Sequence, residues 1–354
     1  MDRTRGTNGG NGGAPGDVPG QWDGPDEALD AGTVAVLRRH GASFLRHHFS
    51  GRPRMLEIQV TRRCNARCAW CDSWRAPGNG TEMDDYAALV RRIEPLGVAL
   101  VGGDPLVRPD LERLVASIRM TTRVASLGVS TNGLEMDRDR ALRLREAGAD
   151  KLVVSVEGME EAHDRARRVP GAFARLVGLL PDLAAAGFRA VQIQATVSER
   201  TAGDMAPLAR LAIDCGVRIA YTLEGPARLG ARDGVPDERS LGRLAEEIER
   251  VIEIAERSDA VVSSAGYLRR IVPFLRGDGA GFPSCGAGAI FLRVTPDGWL
   301  RPCGALPPLG PWTAFPFPVR PVDCGACWSR RRGESGGRIG PARMVEILRA
   351  GRRE

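Results

Sequence analysis

The sequence predicts an α/β protein whose parallel sheet is open or curled into part of a barrel, followed by a smaller cysteine-rich region. Three observations carry this. Six strand–helix steps follow one another between residues 54 and 223. Gly97, Gly148, Gly187 and Gly216 stand just ahead of strands, where a helix would be capped. Eight cysteines divide, once Cys215 is set aside, into three near the start and four near the end.

Residues 1–25 hold eight glycines and three prolines with almost no apolar periodicity, and read as a disordered leader. Residues 26–53 follow as an N-terminal helix, with Leu29, Val34, Leu37, Phe44 and Leu45 available for an apolar face. The predicted strands are Met55–Val60, Val98–Gly102, Val124–Ser130, Leu152–Val156, Ala190–Val197 and Val217–Leu223. Helical patterns near 84–95, 109–120, 137–148, 171–186 and 202–214 lie between them, so residues 54–236 form one α/β unit. A helical connector spans 237–280, and a Gly-, Pro-, Trp- and Cys-rich unit spans 281–330, with a β-turn at Thr295-Pro296-Asp297-Gly298. Residues 331–354 read as an Arg-rich helix with Met344, Ile347 and Leu348 on its apolar stripe.

The 354 residues are 43% hydrophobic and 27% charged, enough to bury a substantial core. No apolar run reaches membrane-spanning length and no secretory signal follows Met1, so a cytoplasmic protein without membrane attachment is expected. The net charge of +6 comes from basic residues spread along most of the chain, all but Lys151 of them Arg, which weighs against a nucleic-acid partner. Without a secretory signal, clustered thiols point to metal rather than to disulfides.

Cys64, Cys68 and Cys71 form a C-x3-C-x2-C loop directly after the first strand. Three thiolates this close can hold three corners of a cubane cluster and leave its fourth iron open to a small molecule. Structural zinc would want a fourth ligand that no nearby His or Cys supplies. Loops at the C-terminal ends of parallel strands are also where α/β barrels keep their chemistry.

This loop after the first strand of a β/α repeat resembles the radical S-adenosylmethionine (SAM) superfamily. The resemblance implies a partial (β/α)6 TIM-like barrel and a [4Fe–4S] cluster on Cys64, Cys68 and Cys71. In that family the open iron chelates SAM, and a 5′-deoxyadenosyl radical then abstracts hydrogen from the substrate. Other positions match in turn. Gly102-Gly103-Asp104-Pro105 resembles the family's GGEP motif for the SAM amino group, with Asp104 in place of the usual Glu. Ser130 and Asn132, in Ser130-Thr131-Asn132-Gly133, look like its polar strand end near SAM. Ser155 and Glu157 resemble its S-x-D-G turn, Gln192 or Gln194 would meet the ribose, and Trp70 would lie against the adenine.

Cys285 and Cys303 are separated by 17 residues, and Cys324 and Cys327 make a C-x2-C pair. Four thiolates complete either a [4Fe–4S] cluster or a tetrahedral zinc, and ligand counting leaves both open. The pattern resembles the SPASM/twitch extension of radical SAM enzymes. Gly333 and the lack of any cysteine after Cys327 match its shorter twitch form, a small β/α extension with a single auxiliary [4Fe–4S] cluster.

A fully ligated second cluster suits electron transfer, and hence a net two-electron oxidation. The single-auxiliary-cluster pattern resembles aminocyclitol dehydrogenases of antibiotic biosynthesis, which implies an oxidoreductase acting on a sugar-like small molecule. The alternatives are a redox-neutral epimerase or lyase, or maturation of a peptide substrate. The maturation reading is weakened because the 27 residues after Cys327 leave little room for a leader-binding domain. Flavodoxin or ferredoxin would serve as external electron donor. Tyr221 and Glu224, at the end of the sixth strand, are placed to project over the barrel mouth as polar contact or base.

Overall fold

The computed structural model describes residues 52–71, 73–75, 81–223, 237–278, 282–316, 322 and 324–335. The predicted leader, nearly all of the N-terminal helix, Glu224 and residues 336–354 lie outside these.

Six parallel strands, β1 (Met55–Gln59), β2 (Gly97–Val101), β3 (Ser126–Thr131), β4 (Lys151–Ser155), β5 (Ala190–Val197) and β6 (Arg218–Leu223), pair in sequential order. Between them run α1 (Ala87–Ile93), α2 (Leu111–Thr121), α3 (Arg138–Glu146), α4 (Glu160–Arg167), α5 (Ala172–Ala185) and α6 (Met205–Asp214). This is the partial (β/α)6 barrel that the repeat predicts. The helix α4 is an addition. Its residues Glu-Glu-Ala-His-Asp-Arg-Ala-Arg bury only His163 and Ala166, too little apolar content to show a helical period.

Strand alternation decides which side chains meet the helices. Leu56 and Ile58, Val98 and Leu100, Leu127 and Val129, Leu152 and Val154, and Ile193 and Ile219 are buried in one core with Leu114, Leu144, Leu176 and Leu208 of the helices. The register then puts Glu57, Ala99, Ser130, Val153, Ser155, Gln192, Gln194, Thr196, Ala220 and Thr222 on the opposite, inner face. Three strand-preceding glycines do cap helices, with φ of 108° at Gly148, 79° at Gly187 and 68° at Gly216. Gly97 does not: Glu94 takes the left-handed cap of α1 at φ 52°, and Gly97 opens β2 opposite Met55.

The connector holds α7 (Glu238–Arg257), α8 (Ala265–Arg269) and α9 (Ile271–Arg276). Leu241, Leu244, Ile248, Val251 and Ile252 form the buried stripe of α7. The chain then returns to the sheet. β7 (Phe291–Val294) pairs parallel with the free edge of β1, and β8 (Trp299–Arg301) and β9 (Gly310–Pro311) extend it antiparallel around the predicted Thr295–Gly298 turn. The cysteine-rich extension is therefore continuous with the barrel sheet, and covers an edge that would otherwise expose unpaired backbone groups. A final helix, α10 (Arg330–Ser335), follows. Among the described residues no helix is long and apolar enough to cross a membrane.

Candidate active site

The cysteine loop leaves β1 at its C-terminal end. Arg108, buried to 4% exposure, donates from Nη1 to the carbonyl of Val60 at 2.9 Å and forks onto Asp110 at 2.8 Å through Nε and Nη2, which fixes the exit of the strand. That fork pulls the Asp110 carboxyl down to about 2. The turn after β2 is bonded to the loop: Gly103 N donates to Thr61 O at 2.9 Å and Asp104 N to Arg63 O at 2.8 Å. The approach is so close that a Cβ on Gly103 would lie 2.1 Å from Arg63 O, and one on Gly102 3.0 Å from Thr61 Cγ2. The glycine pair is a steric requirement of this backbone contact.

Asp104 is 1% exposed. Its carboxylate accepts from Leu106 N at 2.9 Å, Asn132 N at 2.6 Å and the Thr131 hydroxyl at 2.8 and 2.9 Å. It caps the 3-10 turn that Pro105 opens and ties the end of β2 to the end of β3. Burial raises its pKa, against these hydrogen bonds. Thr131, which sequence reasoning passed over, is its main side-chain partner. Asn132 reaches the cysteine loop itself, donating from Nδ2 to Asn65 Oδ1 at 2.8 Å and lying 3.8 Å from Cys64 Sγ.

Cys68 is 5% exposed, while Cys64 and Cys71 are half-buried. Burial raises the pKa of Cys64 and Cys68. Arg167, at the end of α4, opposes this at Cys68 by donating from Nη1 to Sγ at 3.2 Å. The same guanidinium pairs through Nη2 with the buried Glu157 and lies 5.8 Å from the Trp70 ring. Glu157 also accepts from Thr196 N at 2.7 Å, so its carboxylate is a strut between β4 and β5. Arg167 lies on the helix whose period was illegible, so no sequence signal marked it. Its Nε has no hydrogen-bond partner among the described residues, nor has the buried Nε2 of His163.

Ser130 and Ser155 are half-buried on the inner face, Gln192 is buried there, and Gln194 donates to Ala220 O at 3.0 Å. Tyr221 requires a correction. It faces the helices, is fully buried, and donates its hydroxyl to Met205 O at 2.7 Å. Strand parity gives the inner face at this level to Thr222 instead. Glu224, the other candidate base, lies outside the described residues.

The other three later cysteines gather around Cys285: Cys303 packs against it, Val322 bridges to it two residues before Cys324, and its buried thiol is raised in pKa by burial and further by the charges of Cys327, Cys303 and Cys324. Arg332 organises the loops, donating to Cys327 O at 2.8 Å, Gly325 O at 3.2 Å and Pro283 O at 3.0 Å. Trp328 anchors the C-x2-C pair from below, buried among Tyr267, Phe274 and Phe282 and bonded to Tyr267 O at 3.1 Å. Backbone N–H groups two residues on donate to Cys64 and Cys303 Sγ, each at 3.4 Å. Among the described residues no three Cys, His, Asp or Glu groups are placed to hold a single metal ion. A soft set of three thiols, with an N–H donor on Cys64 and an orphaned buried donor on Arg167 beside Cys68, fits an iron–sulfur cluster with a polar ligand.

The sequence profile of the radical SAM superfamily matches residues 58–212. The mycofactocin maturase MftC of Mycobacterium ulcerans (strain Agy99) is 27% identical over 256 residues, covering 71% of this chain and 68% of its own. SuiB of Streptococcus suis, solved with bound S-adenosylmethionine, has the same fold, with a TM-score of 0.57 at 16% identity over 79% of this chain and 68% of that one. The GTP 3′,8-cyclase of Synechococcus sp. (strain CC9902) is 31% identical over 300 residues, 72% of this chain and 80% of its own. Likeness at that level over most of both chains, with the cysteine loop inside the matched segment, makes this protein a member of the radical SAM superfamily.

Proposed function

We propose that the chain is a radical SAM oxidoreductase of the twitch type, with a SAM-binding [4Fe–4S] cluster on Cys64, Cys68 and Cys71 and one auxiliary [4Fe–4S] cluster on Cys285, Cys303, Cys324 and Cys327. The observation that carries the oxidative reading is the gathering of Cys303, Cys324 and Cys327 around Cys285, on the segment that leads into a strand paired with β1. Four thiolates leave a cubane no open iron for substrate, which favours an electron-transfer role for that site.

When bound, the first cluster and SAM supply a 5′-deoxyadenosyl radical that takes a hydrogen atom from the substrate. The chain's own residues do the placing. Gly102 and Gly103 let the backbone approach closely at the end of β2, and Asp104 braces that turn from behind. Asn132 holds the cysteine loop, and Trp70 offers an aromatic face beside Arg167. Ser130, Ser155 and Gln192 or Gln194 offer polar groups to SAM on the inner face, and the substrate that the oxidative reading favours is a hydroxyl-rich small molecule of the sugar or aminocyclitol class. A peptide substrate is the second reading, favoured by the likeness to a maturase over 71% of the chain. In both, a flavodoxin or ferredoxin is the electron donor, in the cytoplasm.

The test is a Cys324→Ala/Cys327→Ala variant of the anaerobically reconstituted protein. SAM cleavage should persist while substrate oxidation falls steeply, with a melting curve to confirm folding because metal binding and folding are coupled. A well-folded variant that forms product at the normal rate would overturn the oxidative reading in favour of a redox-neutral one.

A further inference from the structure

The two cysteine sites are joined by a set of charges that neither of them requires for ligation. Glu57 sits mid-strand on β1, 8% exposed, on the inner face. Its register partner on β7 is Arg293, whose Nη1 lies 3.2 Å from Glu57 Oε1. The second carboxylate oxygen pairs with Arg331, carried in by α10. From this anchored position Arg293 extends over the Cys303 loop, where a Cβ on Gly304 would come within 2.8 Å of its Nη1. The charges of both Cys303 and Cys71 act on the same guanidinium. The guanidinium is thus held against the loop of the second site, on the strand beside the one that leads into the first, and the charge of a first-site thiol acts on it as well.

We infer that Arg293 is a positioning residue shared by the two clusters, its guanidinium favouring the reduced state of both, with Glu57 and Arg331 fixing where it stands. The inference rests on the two-cluster reading above. Each thiolate site is anionic and gains a further negative charge on reduction, so a fixed cation between them raises both potentials. Buried charges of this kind persist only when paired, which is the part the Glu57 carboxylate plays.

The experiment is a redox titration followed by electron paramagnetic resonance, on full-length protein reconstituted without oxygen, with iron counted in every sample. Arg293→Met should keep both clusters and shift each toward the oxidised form about tenfold at a fixed potential, equivalent to about 59 mV for a one-electron couple. Arg293→Lys, which keeps the charge, should return both clusters most of the way to the wild-type potentials. Arg293→Gln, which removes the charge and keeps a polar group, should shift both clusters the same way as Arg293→Met, and it decides the matter if Arg293→Met does not load iron. A shift in one cluster only, or in neither, with full iron present overturns the inference. A wild-type protein with a single cluster removes its premise instead, and the iron count shows this before any variant is compared.

Discussion

His163 is 1% exposed and accepts from Glu157 N through Nδ1 at 3.1 Å, so the neutral imidazole carries its proton on Nε2, where no acceptor meets it among the described residues. Burial, and then the charge of Arg167, push its pKa down to about 4. In the unfolded chain it titrates near the ordinary histidine value of about 6.5. Between those values the unfolded state binds more protons, so this contribution to stability is complete above about pH 6.5 and is lost as pH falls toward 4, by at most about 3 kcal/mol. Urea unfolding at pH 7.5 and pH 5.0 should therefore show a smaller acid penalty for His163→Gln than for wild type. Equal penalties would mean that His163 is not held neutral. At this scale the cysteines were legible because spacing alone defines a ligand loop. The partner network was not. Arg167 and Thr131 act through contacts 99 and 27 residues away in sequence, on Cys68 and Asp104, and Tyr221 turned inward or outward by a strand parity that one residue of boundary error reverses.

The turn after β2 is the element on which the first site depends. Its backbone is laddered to the cysteine loop through Gly103 and Asp104, and Asp104 in turn holds β3, so one short segment joins the ends of three neighbouring strands. Gly103→Ala places a methyl against the carbonyl of Arg63, and backbone on both sides must shift to relieve it. Overpacking of this kind costs about 1–3 kcal/mol. The more telling effect is local: iron loading and SAM cleavage should fall by more than half, while the four-thiol site keeps its iron. Iron counting beside a melting curve checks this, and unchanged loading would show the contact to be soft. Elements of this kind were predictable where apolar period and glycine caps agreed, as in α3, α5 and α6 and the strands β4, β5 and β6 that follow them. They failed where packing is supplied from outside the segment. The short α4 buries only His163 and Ala166, and the pairing of β7 with β1 joins residues more than 230 apart. No local pattern announces that pairing, although the turn at Thr295–Gly298 correctly marks the hairpin after it.

At the scale of the whole molecule, the two cysteine sets belong to one nine-stranded sheet, with order β6-β5-β4-β3-β2-β1-β7-β8-β9. The first set hangs from the end of β1. The second is held by the loops flanking β7 and β8 and by Arg332 of α10, over an aromatic platform from the connector helices. If each set holds its own cluster, the reconstituted chain contains about eight irons. Changing Cys64, Cys68 and Cys71 together to Ala should leave about four, with no SAM cleavage. The barrel should survive that change, because the loop lies outside the apolar core and the strands beneath it are buried by helix contacts rather than by the thiols. The complementary change of Cys285, Cys303, Cys324 and Cys327 to Ala should also leave about four irons, but with a larger loss of stability. The reason is compositional. The later loops bury few apolar side chains of their own: Cys285, Ala287 and Phe291 form a satellite cluster separate from the main core. There, if the four thiols hold a metal centre, its ligation takes the place of hydrophobic burial as the main constraint on the chain. Anaerobic iron analysis and thermal unfolding of the two variants, side by side, give both quantities. Equal destabilisation would argue that the second site is held by its aromatic platform alone. Wild-type protein carrying four irons, or zinc in the later site, would show that the four thiols serve a structural metal and have no share in the redox chemistry.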